Sequence, residues 1–351
     1  MKKVGCAVIG FGGMGAWHTD RLRELKTRFD LAGVYDIKPE RNAAARERGI
    51  HAYASMRELL ADAKVDFVVI ATPNDAHKKL AIAALKAGKH VLCEKPVAMN
   101  VRELEDMIAA AKKYGRLFTV HQNRRWDPDY LTAKRILDAN TLGPLFHIES
   151  RVQGSRGIPG DWRNQKRHGG GMVLDWGIHL LDQALMMTLP RTLKSVYAQL
   201  TNVTNEECDD GFRAHLTFDD GLTFMVEVGT SHFITLPRWY LLGVNGSAVV
   251  RGWECDGEIV KVSDWENRDA VPIQAGAGLT KTMAPRTDDT IRHEPLSKAA
   301  FEMHGYYANL YDALVNGTPI DVTCHQQRRL MRLIETIFLS ARRRQAIAVT
   351  L

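Results

Sequence analysis

The sequence predicts an α/β chain in two parts, an N-terminal Rossmann domain on a parallel sheet and a C-terminal α+β domain on an antiparallel one. Three observations carry this. Short apolar runs alternate with amphipathic stretches over the first 120 residues. A glycine-rich turn follows the first run directly. Beyond residue 190 the apolar runs succeed one another with turn signals between them. At 351 residues the chain also exceeds what one core usually organises. The pattern changes near residue 121, so the expected domains are 1–122 and 123–351.

The runs Val4–Ile9, Leu31–Tyr35, Phe67–Ala71, His90–Cys93 and Leu117–Val120 read as strands. They are too uniformly apolar for a sheet with one wet face. Arg57–Ala63, His77–Ala87 and Val101–Tyr114 read as covering helices, with right-handed crossovers. The start, Met1-Lys2-Lys3 and an apolar stretch, is interrupted by glycines and followed by Asp20 and Arg21, so a first strand fits better than a signal peptide. Next come a helix over Asp127–Ala139, a strand over Leu145–Gln153, a Gly-, Pro- and Arg-rich loop to Gly170, and a helix over Met172–Met187. Ser195–Leu200, Phe212–Phe218, Leu222–Val228, Trp239–Val244 and Ala248–Arg251 read as strands, and Asp219-Asp220-Gly221 is a hairpin turn. Residues 264–296 are expected to be an irregular surface excursion. Helices over Ser297–Asn316 and His325–Gln345 close the chain.

Lys and Arg number 47 against 41 Asp and Glu, a net charge of +6 with a pI near 9.0. The densest clusters, Arg328, Arg329 and Arg332, then Arg342, Arg343 and Arg344, fall in a helical segment. A solvated or subunit-facing helix accounts for them, and no reader motif accompanies the charge, so nucleic acid is not expected. Cys6, Cys93, Cys208, Cys255 and Cys324 contain no C-x-x-C pair. Such an odd set fits reduced thiols in the cytoplasm. No apolar run reaches bilayer length, so no membrane partner is expected. His121, His168, His304 and His325 lack metal-ligand spacing, and no metal is expected.

Gly10-Phe11-Gly12-Gly13-Met14-Gly15 is G-x-G-x-x-G between a strand and a helix, the context that gives the string meaning. Gly10 suits the tight turn, Gly12 the approach of a pyrophosphate, and Gly15 the packing of helix on strand. The helix start then offers unpaired N–H groups to phosphates. Asp36 ends the second strand, 21 residues beyond Gly15, where an acid grips the adenosine ribose. A carboxylate there repels a 2′-phosphate, so NAD is expected over NADP. The plainer role for Asp36 is a helix cap ahead of Pro39. Thr72, Pro73 and Asn74 follow the third strand at the carboxyl edge and are expected along the cofactor.

Glu94, Lys95 and Pro96 follow the fourth strand at that same edge, where Glu94 and Lys95 are expected along the cofactor and the proline aims the Lys95 amine into the crevice. Later comes Gly169-Gly170-Gly171-Met172-Val173-Leu174-Asp175-Trp176-Gly177-Ile178-His179-Leu180-Leu181-Asp182. Asp175 and His179 share a helix face at i, i+4, and Asp182 lies a turn further on. An Asp–His pair alone is more often stabilising than catalytic. Three polar groups on a helix otherwise rich in Leu, Ile and Met are costly to bury without partners. Trp162 and Arg163 either line the cofactor end of the pocket or serve as a packing Trp and a solvated Arg. Trp176 reads as core.

In this order and spacing, the glycine fingerprint, Glu94-Lys95-Pro96 and the G-G-G-x-x-x-D-x-G-x-H-x-x-D string resemble the glucose–fructose oxidoreductase / inositol dehydrogenase / MocA family. The resemblance covers most of the chain. It implies a large, mostly antiparallel C-terminal sheet and redox chemistry at a secondary alcohol of a sugar, cyclitol or related compound. It also implies functional roles for Lys95, Asp175 and His179, and for Asp182 as an acid that often contacts substrate. Asn123–Pro128 resembles the family's run into its second domain, which brings Arg124 among the substrate-binding candidates. Where the family often shows F-x-x-A-Y-x-x-E, this chain has Phe301–Asn309, and no role for that helix follows.

On this reading His179 is the general base, Asp175 orients its ring, and Lys95 hydrogen-bonds the reacting oxygen. Nicotinamide carries the hydride. Lys95, Arg124, Trp162, Asp175, His179 and Asp182 form the substrate-binding set for a small sugar, glycoside or cyclitol. Other readings stay open. One is a redox-neutral glycoside-processing enzyme, another an oxidoreductase that regenerates bound NAD with a second sugar. A third is a non-catalytic dinucleotide-binding regulator, which has no need of Lys95, Asp175 and His179 together. An open sheet face, expected to be apolar, calls for a cover, so a homo-oligomer is expected, a tetramer or dimer by resemblance.

Overall fold

Uniformly apolar runs need cover on both faces, and the computed structural model, which describes residues 2–267 and 270–351, supplies it. Strands β1 (Val4–Ile9), β2 (Phe29–Tyr35), β3 (Phe67–Ile70), β4 (His90–Cys93) and β5 (Phe118–Val120) form a parallel sheet in the order β2-β1-β3-β4-β5. Every residue of β1, β3 and β5 is buried. The connections carry α1 (Gly13–Glu24), α2 (Pro39–Glu47), α3 (Met56–Ala61), α4 (His77–Lys86) and α5 (Val101–Tyr114). Asn100 caps α5 by accepting the Glu103 N–H, and Gly115 ends it in the left-handed region. The order reverses direction between β1 and β3, which opens a ligand crevice at their carboxyl ends.

The rest of the chain contains α6 (Pro128–Asp138), β6 (Leu145–Gln153), α7 (Ile178–Met187), β7 (Leu193–Thr201), β8 (Gly211–Phe218), β9 (Thr223–Gly229), β10 (Trp239–Gly243), β11 (Gly246–Val250), β12 (Gly257–Val262), β13 (Ile273–Ala275), β14 (Gly278–Thr280), β15 (Ile291–Pro295), α8 (Gly305–Val315), α9 (Cys324–Arg343) and β16 (Ile347–Ala348). Among the described residues, nine of these strands form one sheet in the order β15-β12-β11-β10-β6-β9-β8-β7-β16. Every pairing is antiparallel except β6 beside β9. The C-terminal helices tie the two sheets together. Tyr311 of α8 donates to Lys2 O at 2.8 Å, Arg328 of α9 pairs with Glu105 of α5, and Ser340 of α9 accepts the Ala198 N–H of β7.

Several expectations need correction. The excursion 264–296 is not wholly irregular, since β13 and β14 pair as a hairpin and β15 joins the large sheet. Within it, residues 268 and 269 lie outside the described residues, as does Met1. The helix expected from Ser297 starts at Gly305, because Phe301 and Met303 are exposed and supply no buried face before it. The helix expected from Met172 opens with a π-helical turn over Val173–Gly177. The open face of the large sheet is charged rather than apolar. Arg151 pairs with Glu227 at 3.2 Å, and Arg213 and Gln153 reach that same buried carboxylate.

Candidate active site

A Cβ on Gly10, whose φ is +93°, would lie 2.4 Å from Ala71 O, and one on Gly15 would lie 1.8 Å from Gly10 O. These two glycines let β1, β3 and α1 close on one another. A Cβ on Gly12 or Gly13 would meet nothing within 4 Å, so the outer side of the turn is open. Helix α1 starts there with no side-chain cap and no acid in its first turn, which leaves its N–H groups for an anion. Phe11 is buried, and its N–H donates to Asp36 Oδ2 at 2.6 Å; Met14 is exposed. Asp36 Oδ1 accepts the Lys38 N–H at 2.8 Å, and Lys38 rather than Asp36 precedes α2. Asp36 therefore stands beside the glycine turn and does not cap the helix. Open turn, uncapped helix and adjacent carboxylate fit a dinucleotide.

Thr72 and Pro73 lie on the crevice edge, but Asn74 is buried and donates to Gly169 O at 2.9 Å. His168 and Asp75 pair at 3.0 Å beside it. Asn74 thus holds the glycine loop of the second domain, a use of its amide that sequence spacing does not suggest. His77 lies 2.9 Å from both Thr72 O and Pro96 O and so couples the turns after β3 and β4.

The structure brings Lys95, Asp175 and His179 into one crevice. Lys95 Nζ donates to Asp175 Oδ1 at 2.9 Å and to Asp175 O at 2.8 Å, and Arg163 Nε lies 3.3 Å from Oδ2. Burial would raise the Asp175 pKa, but Lys95 and Arg163 outweigh it and hold it below the usual range. The expected Asp175–His179 hydrogen bond is not formed, because two cationic donors outcompete a neutral imidazole. His179 is 5% exposed and its Nδ1 meets no partner in the protein. Burial first, then the charges of Lys95 and Arg124, push its pKa well below the ordinary value, so the ring is neutral near pH 7.

Two assignments change. Asp182 is not an open ligand, since Arg125 takes both of its oxygens at 2.7 Å. Glu94 turns inward instead of facing the cofactor. It is 5% exposed, and its Oε1 accepts from His18 Nε2 at 2.7 Å and His121 Nδ1 at 2.8 Å. Its Oε2 accepts the Lys95 N–H at 3.0 Å. Burial would raise this carboxyl, yet His121 and His18 hold it well below its usual range. The ligand atoms of His18, Glu94 and His121 lie within 4.8 Å of one another, a grouping that comes from three separate segments and leaves no spacing signal.

Arg124 pairs with Asp127 at 2.8 Å and stacks over Trp176 at 4.2 Å and Trp253 at 5.6 Å. Trp176 is therefore a half-buried wall beside His179, not core. Trp253, in the turn after β11, goes unpredicted. Trp162 is half-buried under the Arg163 guanidinium, 4.7 Å away. Asp209 also escapes sequence reading. It accepts the Val173 N–H at 2.8 Å and so caps the turn that carries Asp175, and burial raises its pKa to about 7.

Known proteins resemble both parts of the chain. The profile described as "Oxidoreductase family, NAD-binding Rossmann fold" matches residues 4–122, and the GFO/IDH/MocA C-terminal domain matches residues 130–249. An uncharacterized oxidoreductase of Schizosaccharomyces pombe is 30% identical over 100% of both chains. A Bacillus subtilis protein named scyllo-inositol 2-dehydrogenase (NAD(+)) is 30% identical over 71% of this chain and 74% of its own. The crystal structure of an NAD-binding protein from Listeria innocua superposes with a TM-score of 0.95 at 44% identity, over 99% of this chain and 100% of that one.

Proposed function

The chain belongs to the GFO/IDH/MocA family of NAD-binding oxidoreductases, and from that premise we propose that it moves a hydride between NAD and a secondary alcohol or ketone of a sugar, glycoside or cyclitol. The observation that carries this reading is the Lys95–Asp175 ion pair beside neutral, buried His179 at the carboxyl edge of the Rossmann sheet. Bound on the glycine turn, a nicotinamide supplies the hydride acceptor or donor.

His179 takes the substrate hydroxyl proton, a step that its neutral state permits. Lys95 hydrogen-bonds the reacting oxygen and favours alkoxide charge. Asp175 and Arg163 hold the ammonium in place. Arg124 and Trp162 contribute to the substrate side, where Trp176 and Trp253 add flat apolar walls suited to a ring. Residues 1–122 carry the cofactor and 123–351 the substrate and subunit contacts. The five free cysteines support a cytoplasmic setting, and no helix among the described residues is long and apolar enough to cross a membrane. A homo-oligomer, a dimer or tetramer, rests on the family resemblance, because the charged sheet face does not itself demand an apolar cover.

The test is a panel of cyclitols, free sugars and glycosides with NAD, read by NADH absorbance. NADH formation with at least one polyol is expected. Aglycone release without net NADH would instead mark a redox-neutral cycle, and inertness towards the whole panel would count against catalysis.

A further inference from the structure

Both contacts of the Lys95 ammonium fall on Asp175, one on its carboxylate and one on its main-chain oxygen. The backbone of the π-helical turn Val173–Gly177 therefore sets where the ammonium stands, and not a side-chain rotamer alone. That turn is held from behind by the segment between β7 and β8. Asp209 of this segment is 7% exposed. Its main-chain oxygen accepts the Met172 N–H at 2.9 Å, and its Oδ2 accepts the Val173 N–H at 2.8 Å. Two successive donors at the head of the helical run thus go to one residue. The Asp175 N–H follows, donating to Gly171 O at 3.0 Å. A Cβ on Gly171, whose φ is +104°, would lie 2.3 Å from Asp209 Oδ1, so the third glycine of the string gives room to this carboxylate.

Among the described residues no cation pairs with Asp209; its carboxylate rests on main-chain N–H groups. The ionisable groups around it are engaged elsewhere. Asp210, beside it, accepts from Thr201 and Thr204 and contributes only repulsion. Glu207 accepts the Lys166 N–H, and the Cys208 thiol is raised to about 11 and stays neutral. From the loop before the glycines, Arg163 goes to Asp161 and Asp175. Asp175 itself is taken by Lys95 and Arg163. Burial outweighs the backbone N–H groups and lifts the Asp209 pKa to about 7.

We infer that Asp209 is a positioning residue of the hydride transfer proposed above, its carboxylate fixing at the head of the Asp175 turn the two oxygens that place Lys95. An ionised acceptor at a helix start complements the helix dipole and binds N–H groups more firmly than a neutral one does. Proton uptake by Asp209 weakens that hold. The turn loosens, and Lys95 leaves the position from which it meets the reacting oxygen. Turnover then falls on the acid side through the titration of Asp209 near pH 7. His179 does not supply this limb, because its own pKa lies well below the ordinary value.

Asp209→Asn is the discriminating variant, since its amide oxygen still accepts the Val173 N–H but takes up no proton in this range. The parent protein should lose about tenfold in kcat between pH 8 and pH 6, the span of one ionisation, with NAD affinity unchanged. Asp209→Asn should be flat over that window, whatever its absolute rate. A parent-like limb in Asp209→Asn, or a flat profile in the parent, overturns the inference. A second readout needs no substrate and no variant. Amide NMR of the intact parent protein should show the Val173 and Asp175 N–H signals moving together with a midpoint near pH 7. Signals that stay fixed from pH 5.5 to 8.5 overturn the inference, even where Asp209→Asn fails to fold. If no polyol reacts with the parent, the hydride-transfer reading fails, while the amide titration still decides whether Asp209 governs the turn.

Discussion

Lys95 meets Asp175 twice, at 2.9 Å on the carboxylate and at 2.8 Å on the main-chain carbonyl. One residue follows β4 of the parallel sheet and the other lies in the turn ahead of α7, so the contact joins the two parts of the chain at the crevice. Each side chain holds the other. Lys95→Ala and Asp175→Asn should both reduce turnover with NAD binding nearly intact. The double variant should lose less than the product of the single losses, because the pair acts as a unit. Stopped-flow hydride transfer with parallel NAD titrations measures this, and multiplicative losses would separate the two roles.

His179→Ala should cost about 10²–10⁴ in rate, the usual range for general acid–base assistance. Asp175→Asn should cost less, since Asp175 acts through Lys95 and leaves the imidazole untouched. Near-normal hydride transfer in a folded His179→Ala protein would remove the imidazole from the mechanism. A fall in NAD affinity parallel to the rate would make it a cofactor support instead.

Asp36 stands beside the glycine turn with one oxygen on the Phe11 N–H. Its charge should favour NAD over NADP, and Asp36→Ala should narrow the gap. Calorimetric titration decides the matter; tighter NADP binding by the unaltered protein would contradict it.

Acid should weaken the fold before the carboxylates titrate. Burial first, then His121, lowers the His18 pKa from 6.5 to about 4, and burial also lowers His77 and His179. Between those values the unfolded chain binds protons that the folded chain refuses, so stability present above pH 6.5 is lost as pH falls toward 4. His18 alone accounts for on the order of 3 kcal/mol. Denaturant titrations at pH 7 and 4.5 should differ in this sense, and equal free energies would refute the buried neutral state.

Light scattering at micromolar concentration should give a dimer or tetramer mass. The charged stripe around Glu227 on the open sheet face predicts an association that weakens with salt. A monomeric mass would contradict the assembly.

Local patterns determined the Rossmann half. Gly10–Gly15, the wholly apolar β1 and β3, and the cap-to-cap pattern of Val101–Tyr114 are set within a few residues of one another, so period and turn chemistry reveal them. The same holds for Lys95 at a strand end and for the Asp219–Gly221 hairpin. Tertiary structure decided the rest. β15 and β16 gain their meaning from distant partners, and the open sheet face is charged because Arg151, Arg213 and Glu227 converge from three strands. Helical spacing pairs Asp175 with His179, yet Lys95 and Arg163 arrive from elsewhere and claim the carboxylate. Asp182 goes to Arg125, and Glu94 to His18 and His121, for the same reason. A buried charge takes the strongest donor within reach, and which donors come within reach is a property of the folded chain, not of spacing along it.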